Sequence, residues 1–178
     1  MIQAFLYDAE GRDREIALEA GVVGELAEHH TLWLDVTAPT AAELETLQGL
    51  FALCTDCAAV LAAPATRHTL DNYGDYFLLD VPAIVRETGG TIPLTSRNFV
   101  PLIFVVSEQW LITIHHQPVG FLGRFRDQDK GETLIGALTG PAVAASLLDW
   151  HLAACLDALE DLEQWVGRGS GSERSKPA

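Results

Sequence analysis

The sequence predicts an α+β domain of α/β/α type: helices packed on both faces of a mixed, largely antiparallel sheet, followed by a long C-terminal stalk helix. Short runs rich in β-branched and aromatic residues alternate with segments of helical periodicity. The runs in the middle of the chain follow one another on short connections, which favours an antiparallel meander. The last periodic segment carries leucines three and four residues apart, which is typical of one long amphipathic helix.

The first half of the chain predicts two strands and a helix. Residues 2–7 and 31–36 are short apolar runs bounded by turn-forming residues. Residues 41–53 have apolar side chains at helical spacing. Thr40 precedes this helix and Glu43 follows three residues later, a pattern that predicts an N-terminal capping box.

The middle of the chain predicts the meander. Residues 73–85 are predicted to form one long strand, in which Pro82 marks an edge or a bulge. Residues 88–91 have the composition of a hairpin turn. Residues 97–106 and 110–115 are then the two returning strands.

Three shorter helices are predicted around these strands. One covers residues 56–61 and is expected to end before Pro64, because proline cannot continue a helix. The other two are predicted at residues 119–126 and 132–138.

The last helix is predicted to start at Gly140-Pro141, with proline in its first turn. About 25 helical residues would span ~38 Å, which is long for a helix lying on a domain of this size. Packing on its own domain and partial projection therefore remain two open interpretations. The predicted apolar seam consists of Leu148, Leu152, Cys155, Leu159, Leu162 and Val166. The predicted divisions of the chain are an α/β domain (1–140), the start of a stalk helix (141–166) and a flexible tail (167–178).

Composition excludes several classes of function. The 178 residues are 48% hydrophobic, which is enough for one domain with a real core. Eleven Lys and Arg stand against 25 Asp and Glu, a formal charge of −14. Such a charge argues against nucleic acid and against an anionic membrane surface, and it is compatible with binding of cations.

The cysteine count, the N-terminal residues and the length of the apolar runs predict the cellular compartment and the absence of a membrane span. Three cysteines do not make a disulfide framework, so a reducing cytosolic setting is expected. The N-terminus has early acidic residues and no long apolar stretch, unlike a signal peptide. The longest strongly apolar run, residues 99–106, is shorter than the ~20 residues of a membrane helix, so no membrane span is expected within this chain.

The cysteine and histidine motifs give no prediction of an enzyme. Cys54 and Cys57 form a C-x-x-C pair, which fits a redox or zinc site only with an accessible low-pKa thiol or further ligands. We interpret them as small apolar residues beside a helix start. His151 and Cys155 have metal-ligand spacing but lie on an apolar helix. His115-His116 ends a strand and is not expected to chelate one ion, because neighbouring strand residues point to opposite faces. His29-His30 is also a pair of neighbours and is expected in a loop just before the second strand.

The acidic residues of the last helix are more suggestive. Asp157, Glu160 and Asp161 share one helix face by their spacing. Like charges so placed repel each other, and a divalent cation with oxygen ligands relieves that repulsion. A solvated acidic face is the alternative, and ligands from another segment or subunit would be needed to complete a site.

Four segments, in order, resemble motifs of the CorA family of divalent-metal transporters. Residues 33–40 (WLDVTAPT) resemble the family's WLDL-x-x-PT opening, and residues 67–79 resemble its arginine-containing segment that enters a long strand. Residues 110–116 are similar to its LiTvh strand, and residues 148–163 resemble the start of its acid-rich stalk helix. The resemblance covers about residues 1–166.

The resemblance implies the cytosolic regulatory and assembly domain of a transporter. Family members are homopentamers whose two C-terminal membrane helices, with a Gly-Met-Asn signature, are expected to lie beyond this sequence. The isolated fragment is then expected to be soluble, at the cytoplasmic face of the membrane, and a monomer or dimer. Mg²⁺, Co²⁺ and Ni²⁺ are typical cargo, with Zn²⁺ in a ZntB branch.

The resemblance also implies a regulatory ion site between subunits. In the family such ions pair an acid of the hairpin region with one on the stalk and hold the pore closed. The corresponding candidate metal ligands here are Glu87, Asp149, Asp157 and Asp161. No tightly bound cofactor and no catalysis are expected. The alternative function is a free-standing interaction module that keeps the domain fold without transport.

Overall fold

The computed structural model describes residues 1–62, 69–85, 98–128 and 134–171. Its strands form one seven-stranded sheet in the order β2-β1-β3-β7-β6-β5-β4. The strands are β1 (Ile2–Asp8), β2 (Arg14–Ile16), β3 (His30–Thr37), β4 (Leu70–Asn72), β5 (Phe77–Ile84), β6 (Phe99–Val106) and β7 (Trp110–His115). The α-helices are α1 (Ala41–Leu50), α2 (Thr55–Ala62), α3 (Gly120–Gln128) and α4 (Gly140–Gly171), and Val22–Glu25 and Ile135–Ala137 form 3-10 turns.

The sheet is mixed and largely antiparallel, as predicted. Among the neighbouring strands described, only β3 and β7 run parallel. The chain between them passes through α1, α2, β4, β5 and β6. Strands β5, β6 and β7 form the predicted meander. The predicted fold class is therefore confirmed.

Helices cover both faces because the strands alternate their side chains. On one face, Leu34 of β3 belongs to a cluster with residues of α1 and α2 such as Leu47 and Cys57. On the other face, its neighbour Trp33 belongs to a cluster with α3 and α4, including Leu122 and Leu147. Burial of both faces explains why β7 is buried along its whole length.

Helix α1 begins with the predicted capping box. The Glu43 N–H donates to the Thr40 hydroxyl oxygen at 3.2 Å, and the Thr40 N–H donates to the Glu43 carboxylate at 2.8 Å. The helix ends at Leu50, before the predicted residue 53, because Ala52 takes a positive φ of 50° that breaks the helical path.

The strand predicted over residues 73–85 is shorter than expected, because it begins only at Phe77 and ends at Ile84. A tight turn separates β4 from β5, with Gly74 at φ 94° and its N–H donating to the Asn72 side chain at 2.8 Å. Glycine adopts this conformation without a steric cost. Pro82 does lie at an edge, because β4 pairs with β5 only as far as Leu79.

Some predicted elements are confirmed and others are not tested. Helices α2 and α3 lie where short helices were predicted. The predicted helix over 132–138 is a 3-10 turn in its described part, Ile135–Ala137. The hairpin turn predicted at 88–91 falls outside the described residues. Strand β2 was not predicted, because its residues are mostly exposed and show no apolar alternation.

Helix α4 starts where predicted and continues past residue 166 to Gly171. Its first turns pack on the sheet through Val143, Ala144 and Leu147, which are buried. The predicted seam is displaced by about one residue from this packed face. Leu152 and Leu159 of the seam are 60% and 53% exposed, because the sheet contacts the helix face roughly 100° away. The predicted division of the chain into domains stays a prediction.

Candidate functional site

An exposed apolar stripe runs along the second half of α4. Its members are Leu152, Leu156, Leu159 and Val166, each more than half exposed. They recur at helical spacing, so they lie on one face of the helix. The described domain leaves this face to solvent, whereas soluble proteins bury most large apolar side chains. The stripe is therefore an apolar helix face that the described part of the chain does not cover.

The predicted acidic ligands lie on the same helix but not all together. Asp149, Asp157 and Asp161 are all exposed. Asp157 and Asp161 are one turn apart and share a face. Asp149 is eight residues before Asp157, or about 12 Å along the axis, so it cannot ligate the same ion. Glu87 lies outside the described residues. The structure thus brings two of the predicted acids together on one exposed face.

A buried polar network links motif residues of the two central strands. The Trp33 indole N–H donates to the Thr113 hydroxyl at 3.0 Å, and that hydroxyl contacts the Asp35 carboxylate at 2.9 Å. Asp35 and Thr113 are paired in the β3-β7 register. The WLDV and LITIH segments therefore meet because their strands run side by side.

The network continues to α3 and β1. The Arg126 guanidinium lies 3.6 Å from Asp35 Oδ2 and donates to the Gln3 side-chain oxygen at 2.8 Å. His115 contacts Asp35 Oδ1 at 3.0 Å. Buried charges are retained when they are paired and hydrogen-bonded, as here. This arrangement ties the strands β1, β3 and β7 to helix α3.

The C-x-x-C pair lies at the start of α2. The Cys57 N–H donates to Cys54 Sγ at 3.4 Å, and the Cys54 N–H donates to the Tyr76 hydroxyl oxygen at 2.8 Å. A hydrogen bond with the Tyr76 side chain, followed by the Cys57 N–H, lowers the pKa of Cys54. Burial raises the pKa of Cys57 to about 11. The two thiols thus differ strongly, with the exposed one more acidic, a contrast that the sequence did not predict.

Another cluster joins Asp8, His29 and His30. One ligand atom from each side chain lies within 4.8 Å of the others. Asp8 ends β1 and His30 begins β3, and the two are opposite each other in the antiparallel register. Burial alone raises the pKa of Asp8, but hydrogen bonding from the Glu10 N–H and the nearby imidazoles lower it on balance. This cluster was not predicted from the sequence, because the partner of the adjacent histidines lies across the sheet.

His151 and Cys155 also lie together on α4. The Cys155 sulfur is 3.8 Å from His151 Nε2. Burial lowers the pKa of His151 and raises that of Cys155. His151 also packs beside the Phe121 ring, with ring centres 5.7 Å apart. This pair belongs to the contact between α3 and α4, as the core interpretation predicted.

The profile of the family described as "CorA-like Mg2+ transporter protein" matches residues 28–168. The match covers most of the chain, from the start of β3 nearly to the end of α4. The chain belongs to this CorA-like family. A sequence comparison with curated proteins gives no match.

Solved structures share the fold at low sequence identity. The full-length CmaX protein aligns with a TM-score of 0.74 at 16% identity, over 99% of this chain and 54% of that one. The complete CorA magnesium transporter from Methanocaldococcus jannaschii aligns at 0.70 and 14%, over 98% and 52%. The soluble domain of the same CorA aligns at 0.73 and 14%, over 97% and 64%. The ZntB cytoplasmic domain from Vibrio parahaemolyticus aligns at 0.68 and 10%, over 94% and 64%.

This CorA-like chain spans about half the length of the two full-length structures. By length and composition alone, one helix among the described residues, Gly140–Gly167 of α4, is long and apolar enough to cross a membrane. The expectation that no segment of this chain spans a membrane stays a prediction, because this finding rests on length and composition alone. That expectation considered only uninterrupted apolar runs, whereas α4 has a few charged residues among its apolar ones. Its first turns nevertheless pack on the sheet.

Proposed function

We propose that this CorA-like chain is the cytosolic regulatory and assembly domain of a divalent-cation transporter. Helix α4 is the stalk that leads toward the membrane part, and no catalytic role or tightly bound cofactor is assigned to the domain. The single observation that carries the proposal is the exposed apolar stripe of α4, which continues beyond the part of the helix packed on the sheet. The family match and the roughly doubled length of the full-length relatives support it.

Burial of the apolar stripe would favour assembly of several copies of the chain. Covering a leucine side chain that is more than half exposed contributes about 1 kcal/mol or more at roughly 25 cal/mol per Å². Several such residues along one helix face favour association of the stalks of neighbouring copies. The proposed assembly is a homo-oligomer, pentameric in the complete transporter.

Cation sensing follows from the acidic face beside the stripe. Asp157 and Asp161 of neighbouring stalks repel each other when the copies associate. A divalent ion bridging these carboxylates, with Asp149 or Glu87 contributing from another copy, relieves the repulsion. Its binding free energy is realised only in the arrangement that brings the carboxylates together, so occupancy biases the gate toward that arrangement.

Ion flux through the full-length protein in liposomes tests the sensing role. Wild-type flux of Mg²⁺ or Co²⁺ should fall as the cation concentration on the cytosolic side rises. The double variant Asp157→Asn/Asp161→Asn should need a higher concentration for the same inhibition. Asp127→Asn, an exposed acid on α3, is the matched control and should behave like wild type. Equal inhibition of all three proteins would reject the sensing role.

The mass of the detergent-solubilised full-length protein tests the assembly role. Leu156→Asp/Leu159→Asp places charge on the stripe and should dissociate the oligomer. Ala153→Asp, an exposed position about 100° away around the helix, should leave the mass unchanged. A free-standing interaction module would use the same stripe, but its natural full-length form would carry out no ion flux.

A further inference from the structure

The cluster of Asp8, His29 and His30 has the spacing of a metal site. His29 Nε2 is 3.6 Å from Asp8 Oδ1, and His30 Nε2 is 3.4 Å from Asp8 Oδ2. Both distances exceed the usual range of hydrogen bonds between nitrogen and oxygen. They are close to the ~3.3 Å that separates two ligand atoms of a tetrahedral zinc ion at bond lengths of about 2.0–2.1 Å.

The surroundings orient these ligands. The other ring nitrogen of His29 faces the Glu10 carboxylate at 3.8 Å. This distance is too long for a hydrogen bond, but a negative charge nearby favours a proton on Nδ1, which leaves the Nε2 lone pair for an ion. The Asp8 carboxylate is itself held by the Glu10 N–H at 3.1 Å. The Asp8 carboxylate is thus oriented by the backbone, and the His29 ring lies beside a second carboxylate.

Two glycines leave room for this arrangement. A Cβ atom at Gly11 would collide with the Asp8 carboxylate. A Cβ atom at Gly136 would collide with the backbone of Ala9 and with the His29 carbonyl oxygen. The turn Ile135–Ala137 therefore closes one side of the cluster. The opposite side is open, because the His29 side chain is 35% exposed while Asp8 and His30 are 12% and 17% exposed.

We propose that Asp8, His29 and His30 bind one late first-row divalent ion, of the Zn²⁺, Co²⁺ or Ni²⁺ type, with water in the remaining position. Two imidazoles and one carboxylate suit these ions, whereas Mg²⁺ prefers oxygen ligands and keeps its waters. The site lies at the end of the sheet where β1 ends and β3 begins. It is separate from the acidic face of α4 and does not rest on the proposed transport function.

Ion binding also changes one hydrogen bond. His30 Nδ1 accepts the Ala27 N–H at 3.2 Å. Coordination through Nε2 requires the tautomer with its proton on Nδ1, so this hydrogen bond is lost when the ion binds. Hydrogen exchange of the Ala27 amide should therefore become faster in the metal-bound protein.

Titration of the purified 178-residue chain with Co²⁺ tests the site. Tetrahedral cobalt absorbs visible light far more strongly than octahedral cobalt held by oxygen ligands alone. We expect the intense bands to saturate at one ion per chain and to persist in excess Mg²⁺. His29→Ala/His30→Ala should abolish them, and His116→Ala, an exposed histidine outside the cluster, should keep them.

A second set of variants shows whether a loss of binding comes from a folding defect. His29→Gln and Asp8→Asn keep the size of each side chain and should each weaken Co²⁺ binding at least tenfold, while thermal unfolding without metal confirms that they fold. Three results would overturn the proposal: intense bands that survive the double variant, only weak octahedral bands in wild type, or thiolate-to-cobalt charge transfer that places the ion on cysteine. Failure of the flux experiments on α4 would leave this site unaffected.

Discussion

The imidazole of His115 donates to the carboxylate of Asp35 across the β3-β7 pair, with Nε2 3.0 Å from Oδ1. Its other nitrogen, Nδ1, lies 2.6 Å from the carbonyl oxygen of Gln117. Both ring nitrogens therefore face oxygen atoms. The buried Asp35 thus joins a polar network with Thr113, His115 and Arg126 that ties the parallel strands together.

Removal of the Asp35 carboxylate should strongly destabilise the domain. Asp35→Ala leaves His115, Thr113 and Arg126 without their shared acceptor, and breaking a buried pair in this way costs about 3–5 kcal/mol. Urea denaturation followed by tryptophan fluorescence measures the loss. The exposed-acid control Asp127→Asn should change the free energy of unfolding by less than about 0.5 kcal/mol. Equal stability of the two variants would show that the network contributes nothing.

Loss of the α1 cap should have a smaller effect. Thr40→Ala removes the hydroxyl that accepts the Glu43 N–H and should lower the free energy of unfolding by about 1 kcal/mol. Thr46→Ala is the control, because Thr46 lies inside α1 and its hydroxyl bonds only the Ala42 carbonyl. This control should be neutral or slightly stabilising, since alanine is the better helix former. A neutral Thr40→Ala would contradict the capping role.

The three cysteines should react at different rates with a disulfide reagent such as Ellman's. Cys54 is exposed and its hydrogen bond with Tyr76 lowers its pKa, so it should react first. Cys155 should be slower, and Cys57, fully buried with a pKa of about 11, should react only on unfolding.

Two tyrosine variants separate the effect of the Tyr76 hydroxyl on Cys54 from a general loss of packing around the thiols. Tyr76→Phe removes the hydroxyl and should slow the reaction of Cys54 at neutral pH. Tyr73→Phe, on a ring stacked 5.2 Å from Tyr76, should not. Rapid labelling of Cys57 in the native protein would refute the predicted order.

His151 should make the domain less stable in mild acid. Burial lowers its pKa below the ordinary value of 6.5, so the unfolded chain takes up a proton at a pH where the folded chain does not. Its contribution to stability is complete above pH 6.5 and declines as the pH falls from there through the lowered folded pKa. Urea midpoints measured across this range should therefore fall with pH.

The comparison variant for this effect is His151→Leu, which should flatten that part of the stability curve. His116→Gln, at an exposed position, should leave the curve as in wild type. A His151→Leu curve parallel to wild type would assign the acid sensitivity to other groups.

Local sequence signals predicted local structure well. The Thr40 and Glu43 side chains are three residues apart, so the capping box needs no distant partner. The turn at Gly74 carried an equally local signal, glycine two residues after Asn72, which was overlooked inside an apolar stretch. The helix positions followed from periodicity, but the packed face of α4 did not, because a leucine stripe next to a buried face has the same period as a buried stripe.

Sites that join segments distant in the chain could not be predicted from the sequence. Cys54 acquires its acidity from Tyr76, twenty-two residues away, and Asp8 meets His30 only through strand pairing. The acidic candidates Asp157 and Asp161 were found because they share one helix, yet ion binding there stays a prediction. The Glu87 prediction falls outside the described residues.

The sequence by itself determined the class of fold, the meander, the capped first helix and the long last helix, because each depends on contacts between near neighbours or on a regular period. Only the tertiary structure decided which strands run parallel, which face of α4 meets the sheet and which side chains gather at Asp8 and at Asp35. Those outcomes depend on strand order and register, where a shift of one residue sends every side chain to the opposite face.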